Sequence, residues 1–510
     1  MKKSLCLLLS LLLTLSVLLP AGSALAAPRY AITNPYAGID WATVRQYKTA
    51  LHSHTNASDG DHTLLQSLER HYRTGYDIVA VTDHGVVDGG WDEGAKQNVI
   101  KTLLSVLGRS AGELEYLGAT GTFSDGTPYR YQNTVNGDDF LHAGDRVILR
   151  LPYGVENNAV SVNAHVNSWF VNATDNSVTT YRDAVSRVER LGGLSVINHP
   201  GEYTKARYEL SSADAYNEAN PAYAYYVNKY AALLEQYPSC LGLDVNSKGD
   251  NRTRFDRVLW DRLLTRFAAN GRTVYAIASS DAHQLDKIDT GFTLLLAPSL
   301  SSPAARRALE AGQFFAASHC IGNPEELAEY AVGLSAFCGE NDPTLLRVNA
   351  ALDAMRERIA GINSGKYDRD DAIGAEYTVL DGQGFTRVDA FPTVTRIETD
   401  DEAGTITIVA ENAKLVRFVS EGRTVCMLPA DGDAVLRLDE YTDLLGDYVR
   451  AEVLGDGGVL YTQAFLLNAA DKAGTSKITK GIRELGFFDF LLAEFNRWLS
   501  VIKRFFGSLF

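Results

Sequence analysis

Cysteine is scarce in this 510-residue chain: there are five, and none stands in a C-x-x-C pair, so a thiolate metal site is not expected. Excess positive charge is missing too. Asp and Glu number 63 against 48 Lys and Arg, a formal net charge of −15. That argues against a grip on long nucleic acid, which needs a basic surface. It leaves phosphoester chemistry open, because bound metal ions can supply positive charge locally. No G-x-x-x-x-G-K-[ST] nucleotide loop occurs.

What is present begins with "MKKSLCLLLSLLLTLSVLLPAGSALAAP". Two lysines, a leucine-rich run and a small-residue "ALA" have the layout of a secretory signal peptide, with cleavage expected after Ala26. A secreted or cell-surface protein follows from that expectation. Cys240, Cys320, Cys338 and Cys426 would remain, and whether Cys320 and Cys338 are bridged is left open by the sequence.

From Tyr47 to Ser318 short apolar runs ("YKTAL", "YDIVAVT", "LSVIN", "CLGLDV", "TVYAIAS") read as buried strands. Between them stand helical stretches at 63–75, 180–193 and 254–271, each ending at glycine. The alternation predicts a parallel α/β sheet or barrel. A turn-rich stretch between Trp91 and Asp145 reads as an insertion, and 341–387 as a helix and charged linker. From Val388 alternating segments predict a small antiparallel β-sandwich-like module over 388–470. The last stretch, 480–510, is an amphipathic helix with Phe488, Leu491, Leu492, Phe495, Trp498 and Leu499 on one side. Its charges oppose a membrane span; contact with a membrane surface through 487–510 is one possible role and docking on protein another.

The chemistry concentrates at strand ends. In "LHSHTNASDG" His52 and His54 fall on one face of a strand. "VTDHG" places Asp83 and His84 after a second strand, "INHPGEY" places His199 after a third, and "SSDAHQ" places Asp281 and His283 after another. In a parallel barrel such ends open on one face, where active sites are built. Two histidines alone are a weak signal; four strands ending in ligand-type residues are a strong one.

The ordered set H-x-H-x(4)-D-G, T-D-H, G-V-E, A-H-V-N, N-H-P and S-D-A-H resembles the polymerase and histidinol phosphatase (PHP) family over Tyr47–Ser318. The resemblance implies a distorted (β/α)7 barrel within 40–340 and hydrolysis of a phosphate mono- or diester with a metal-activated water. Two or three divalent ions are implied, commonly zinc, manganese or iron. Residue by residue, it implies His52, His54 and Asp281 at a first ion, Asp59, His84 and His283 at a second, and His165 and His199 at a third, with Glu156 bridging the first and third. Glu115 rivals Glu156, and the spacing to His165 favours Glu156. Asp59-Gly60 also reads as an ordinary turn. Asp83 and Asp244 are expected behind the ligands or facing substrate, and Lys205, Arg207, Arg252 and Arg254 are candidate phosphate contacts.

The expected substrate is therefore a phosphorylated small molecule or an envelope component. Two other readings stand beside it: an amidohydrolase-like metal enzyme cleaving another bond, and a non-catalytic envelope-binding protein.

Overall fold

The computed structural model describes residues 30–92, 117–134, 137–159, 164–173, 180–250, 252–367 and 390–469. The expected leader, the rival Glu115 and the expected amphipathic tail lie outside the described residues.

The fold is mixed α/β, with a 14-stranded sheet, a 5-stranded sheet and a 3-stranded sheet. Arg45–Ala50 runs parallel to Ile78–Val79, which runs parallel to Arg146–Arg150. In the second sheet Leu194–Ile197, Cys240–Asp244 and Tyr275–Ile277 are parallel neighbours. Single parallel bridges, Ser53 to Ala282 and His84 to Glu156, join the two sheets just beyond these strand ends. The carboxyl ends of strands from both sheets therefore face one volume.

The strands are not all parallel, as the alternation had suggested. Val155–Ala159 and Ala164–Trp169 pair antiparallel, and the latter is also antiparallel to Leu194–Ile197. Only residues 160–163 connect the first pair, far short of the dozen or so residues that a parallel crossover needs.

The helices start where side chains can cap them. Thr63 and Gln66 form a capping box on Leu64–Arg73, and Thr180 with Asp183 forms another on Tyr181–Leu191. Gly192, at φ 76°, ends the second helix in the left-handed conformation. Inward faces carry Leu64 and Leu68, then Ala184, Val185 and Val188, all buried against the sheets.

Residues 393–469 supply the expected antiparallel strands, and one more. Arg423–Pro429 pairs with Leu415–Ser420; its polar, half-exposed alternation had hidden it. The region is also not separate from the α/β part. Gly458–Tyr461 pairs with Phe314–Ser318, so the large sheet runs on without interruption, and Phe465–Ala469 pairs with the early strand Tyr30–Thr33. The side chain of Gln463 bonds both the N–H and the C=O of Ala276, at 2.9 Å each, at the edge of Tyr275–Ile277. Cys320 and Cys338 are both free thiols, as are Cys240 and Cys426.

Candidate metal centre

The His52 and His54 Nε2 atoms lie 3.0 Å apart. Asp281 Oδ1 lies 3.2 and 3.1 Å from them, and Glu156 Oε2 lies 3.5 and 3.4 Å. For four donors placed tetrahedrally at bonds of about 2.1 Å, adjacent donors stand about 3.4 Å apart. These spacings are ones that metal donors could take, and two sets here could each hold an ion: His52, His54 and Glu156, and His52, His199 and Asp281. Asp281 Oδ1 and Glu156 Oε2 are buried and make no well-aligned hydrogen bond. Buried charges of that kind persist where they are paired or hold a metal.

Asp59 Oδ1 builds a second set, 3.2 Å from His283 Nε2 and 3.5 Å from His84 Nε2. His54 Nδ1 is 3.7 Å from the same oxygen, so its ring lies between the two sets and stacks on His283 at 4.2 Å. The Asp59-Gly60 turn is tight for a geometric reason: a Cβ on Gly60 would stand 2.9 Å from the Thr55 carbonyl.

His165 and His199 both approach Glu156 Oε1, at 2.8 and 3.4 Å. His199 also groups with His52 and Asp281, and His165 with His84 and Glu156. The side chain of Tyr203 touches both histidines. It bonds His165 Nε2 at 2.8 Å, and its ring packs against both His165 and His199. His165 Nδ1 turns instead to Glu156 Oε1, at 2.8 Å. Glu156 still faces both sides: Oε2 meets the His52–His54 pair, while Oε1 accepts from Asn198 at 2.7 Å and lies 3.4 Å from His199. The hairpin makes this possible, because Glu156 pairs with Asn167 and Asn158 with His165, which puts all four on one face.

The charges are mutually adjusted. Burial opposes protonation of His52, but the Asp281 and Glu156 carboxylates outweigh it and lift its pKa to about 10. His84 and His283 are also raised: burial works against their charge, and the nearby carboxylates prevail. Asp59, Glu156 and Asp281 are held below the usual carboxylate range, since the facing histidines overcome the cost of burial. His165 is lowered to about 4, chiefly by burial. Protons on the histidines thus balance the carboxylates where divalent cations would do so instead.

The surrounding residues hold the frame. Asp83 does not face substrate: it accepts from the Thr55 N–H at 2.7 Å, the Thr55 hydroxyl at 2.7 Å and the Ser58 hydroxyl at 2.6 Å, clasping the loop that carries His54 and Asp59. Asp244 stands behind His52, 4.0 Å from Nδ1, and accepts from the Ser279 hydroxyl. Arg254 is turned inward, with its guanidinium donating to the carbonyls of Arg207 and Glu209. Lys205 ends the short helix Pro200–Thr204 in a left-handed conformation. Arg252 and Arg207 reach Glu202, at 2.6 and 3.7 Å.

Two residues at the site escaped sequence reasoning: Tyr203 and Lys248. Lys248 Nζ lies 2.5 Å from Asp281 Oδ2 and 3.5 Å from Glu202 Oε2. Burial opposes its charge, and those two carboxylates raise its pKa nonetheless. The signal that could have found it is its place in "DVNSKGD", just past the carboxyl end of Cys240–Asp244. Gly108-Arg109-Ser110-Ala111-Gly112 has the G-x-S-x-G spacing of a serine nucleophile turn, but it lies outside the described residues.

No family model matches the chain, and no curated protein matches it. Among solved structures, it is similar to a two-domain Bacteroides vulgatus protein containing a predicted PHP-like metal-dependent phosphoesterase. That similarity is at 14% identity and TM-score 0.33, covering 84% of this chain and 96% of that one. A lesion-specific endonuclease from Pyrococcus furiosus is similar at 12% identity and TM-score 0.27, over 52% of this chain and 56% of its own. An amidohydrolase from Chromobacterium violaceum, with bound sulfate and no metal, is similar at 14% identity and TM-score 0.25, over 46% and 87%.

Proposed function

We propose that this chain is a secreted or surface-held metal-dependent phosphoesterase of the PHP type. One observation carries the reading: the His52 and His54 donors lie 3.0 Å apart and 3.1–3.5 Å from Asp281 Oδ1 and Glu156 Oε2, with a second set around Asp59 directly beside them. A structural metal site is usually closed and mononuclear, whereas adjoining donor sets sharing a histidine suit a reaction centre. The strands joined through the Ser53–Ala282 and His84–Glu156 bridges are read as the distorted barrel, and the strands after Val388 as its appended module.

Divalent ions held here supply Lewis-acid charge and an activated water for attack on phosphorus. Mixed imidazole and carboxylate donors suit zinc, iron or manganese. His52, His54 and Asp281, with Glu156, would hold the first ion, and Asp59, His84 and His283 the second. His165 and His199 would hold a third. Glu156 spans the first and third positions through its two oxygens. Asp244 orients His52 from behind, and Asp83 fixes the loop carrying His54 and Asp59. The expected leader supports a place outside the cytoplasm, with a phosphorylated small molecule or envelope component as substrate; residues 487–510 would rest on a membrane surface.

The test is elemental analysis of the purified chain together with hydrolysis of p-nitrophenyl phosphate and bis-p-nitrophenyl phosphate. At least two ions and metal-dependent turnover are expected, with one ion and most of the turnover lost in His52→Ala. One ion or none, with no turnover after manganese, iron and zinc are each supplied, would rule the reading out.

A further inference from the structure

Lys248 occupies a conformation that few lysines adopt. Three consecutive residues are left-handed: Lys248 at φ 52°, Gly249 at φ 62° and Asp250 at φ 66°. For a residue with a Cβ this costs about 1–2 kcal/mol, and such strain persists only where the surroundings enforce it. Here they do. The Arg257 guanidinium grips the Asp250 carboxylate through two bonds, at 3.0 and 2.8 Å, and is itself held by Glu326 at 2.7–2.9 Å. The Gly322 N–H donates to the same Asp250 carboxylate at 2.6 Å. His199 at φ 26° and Asp281 at φ 43° share the unusual backbone. Lys205 at φ 62° and Asp289 at φ 85° share it as well.

A partner for Asp281 alone would not require that arrangement. Asp281 is 1% exposed, whereas Lys248 keeps 23% of its side chain open to solvent. Its ammonium has three donors, and the two carboxylates beside it are Asp281 and Glu202. Arg252 and Arg207 converge on the same Glu202. Three cations, Lys248, Arg252 and Arg207, meet two carboxylates, Asp281 and Glu202, which leaves one positive charge in excess on this lip, in a chain whose net charge is −15.

We infer that Lys248 is a substrate-binding residue that receives a non-bridging oxygen of a phosphate monoester dianion at the His199–Glu202 end of the centre. The inference rests on the phosphoesterase reading and narrows it. A monoester brings two negative charges and three free oxygens to a lip that carries three cations, whereas a diester brings one charge and two free oxygens. Arg252 and Arg207 stand further out and add charge rather than fixed geometry, since Arg252 is 49% exposed.

The test uses the full chain loaded with manganese or zinc. Orthophosphate and dimethyl phosphate are each titrated by calorimetry into the wild type, Lys248→Asn and Lys248→Arg, and bound metal is counted in all three. Asparagine tolerates the left-handed backbone, so loss in that variant is not a folding defect. Lys248→Asn is expected to keep its metals and bind orthophosphate roughly 10- to 100-fold more weakly, as for loss of one charged hydrogen bond. Its affinity for dimethyl phosphate should fall much less, and Lys248→Arg should recover most of the loss. Unchanged orthophosphate affinity, or equal weakening for both anions, would overturn the inference while leaving the phosphoesterase reading intact. Loss of metal in Lys248→Asn would make the lysine a prop for Asp281 and overturn it too. A wild type without metal would sink both.

Discussion

Two buried charge networks face each other across this molecule, and they are balanced differently. Where the later strands pack on the α/β part, Arg450 bonds Asp261 at 2.8 Å and Glu452 at 2.5 Å, while Arg417 and Tyr330 bond Glu452 at 2.8 and 2.5 Å. Each carboxylate there has a guanidinium that cannot lose its proton. At the strand ends Asp59, Glu156 and Asp281 face histidines, whose positive charge depends on pH. A permanently compensated network glues elements together. One compensated only by removable protons is ready to exchange those protons for cations.

The comparison can be broken in several places. Glu452→Ala strands Arg417, leaves Arg450 with Asp261 alone and should cost about 3–5 kcal/mol in urea unfolding, with bound metal unchanged. Loss of metal in that variant would mean the networks are not independent. His52→Ala should behave in the opposite way, losing an ion and more than about a hundredfold in turnover while unfolding near the wild-type denaturant concentration. Asp83→Ala leaves three donors without their acceptor and should destabilise by about 1–3 kcal/mol. It should also loosen the ion at Asp59 before the one at Asp281, which competition with a graded chelator would resolve.

The smallest effect is on acid stability. Burial opposes the charge on Glu452, but Arg417 and Arg450 hold its pKa down to about 2. A depressed carboxylate stabilises the fold fully above its unfolded pKa of about 4.3, and that contribution fades as pH falls toward about 2. Glu452→Gln should therefore flatten the acid limb of the stability profile over that window. An unchanged limb would assign acid sensitivity to other carboxylates.

Much of the candidate centre was legible because each element announced itself locally. An apolar run ending in a ligand-type residue is visible without knowing its neighbours, and His52, His54, His84, His199 and Asp281 all stand that way. What stayed hidden depends on long-range pairing. The antiparallel Glu156–His165 hairpin has polar strands, "VENNA" and "AHVNSW", with no apolar run to mark them. Tyr203 packs against His165 and His199 through a ring that sequence spacing cannot place. Lys248 owes its position to Asp250, Arg257 and Glu326, the last 78 residues further along the chain (326 − 248). Likewise nothing in the alternation after Val388 shows that Gly458–Tyr461 extends a sheet begun by earlier strands.

The pairing of Tyr30–Thr33 with Phe465–Ala469 reaches into the life of the nascent chain. A ribosome emits the first of these strands long before the second, at about 5–20 residues per second. For tens of seconds the early strand has no edge to join, and Phe314–Ser318 waits likewise for Gly458–Tyr461. Contacts so distant in sequence slow folding, because loop closure precedes any reward. Final assembly is thus a post-synthetic event, one that a chain crossing a membrane unfolded could complete entirely on the far side.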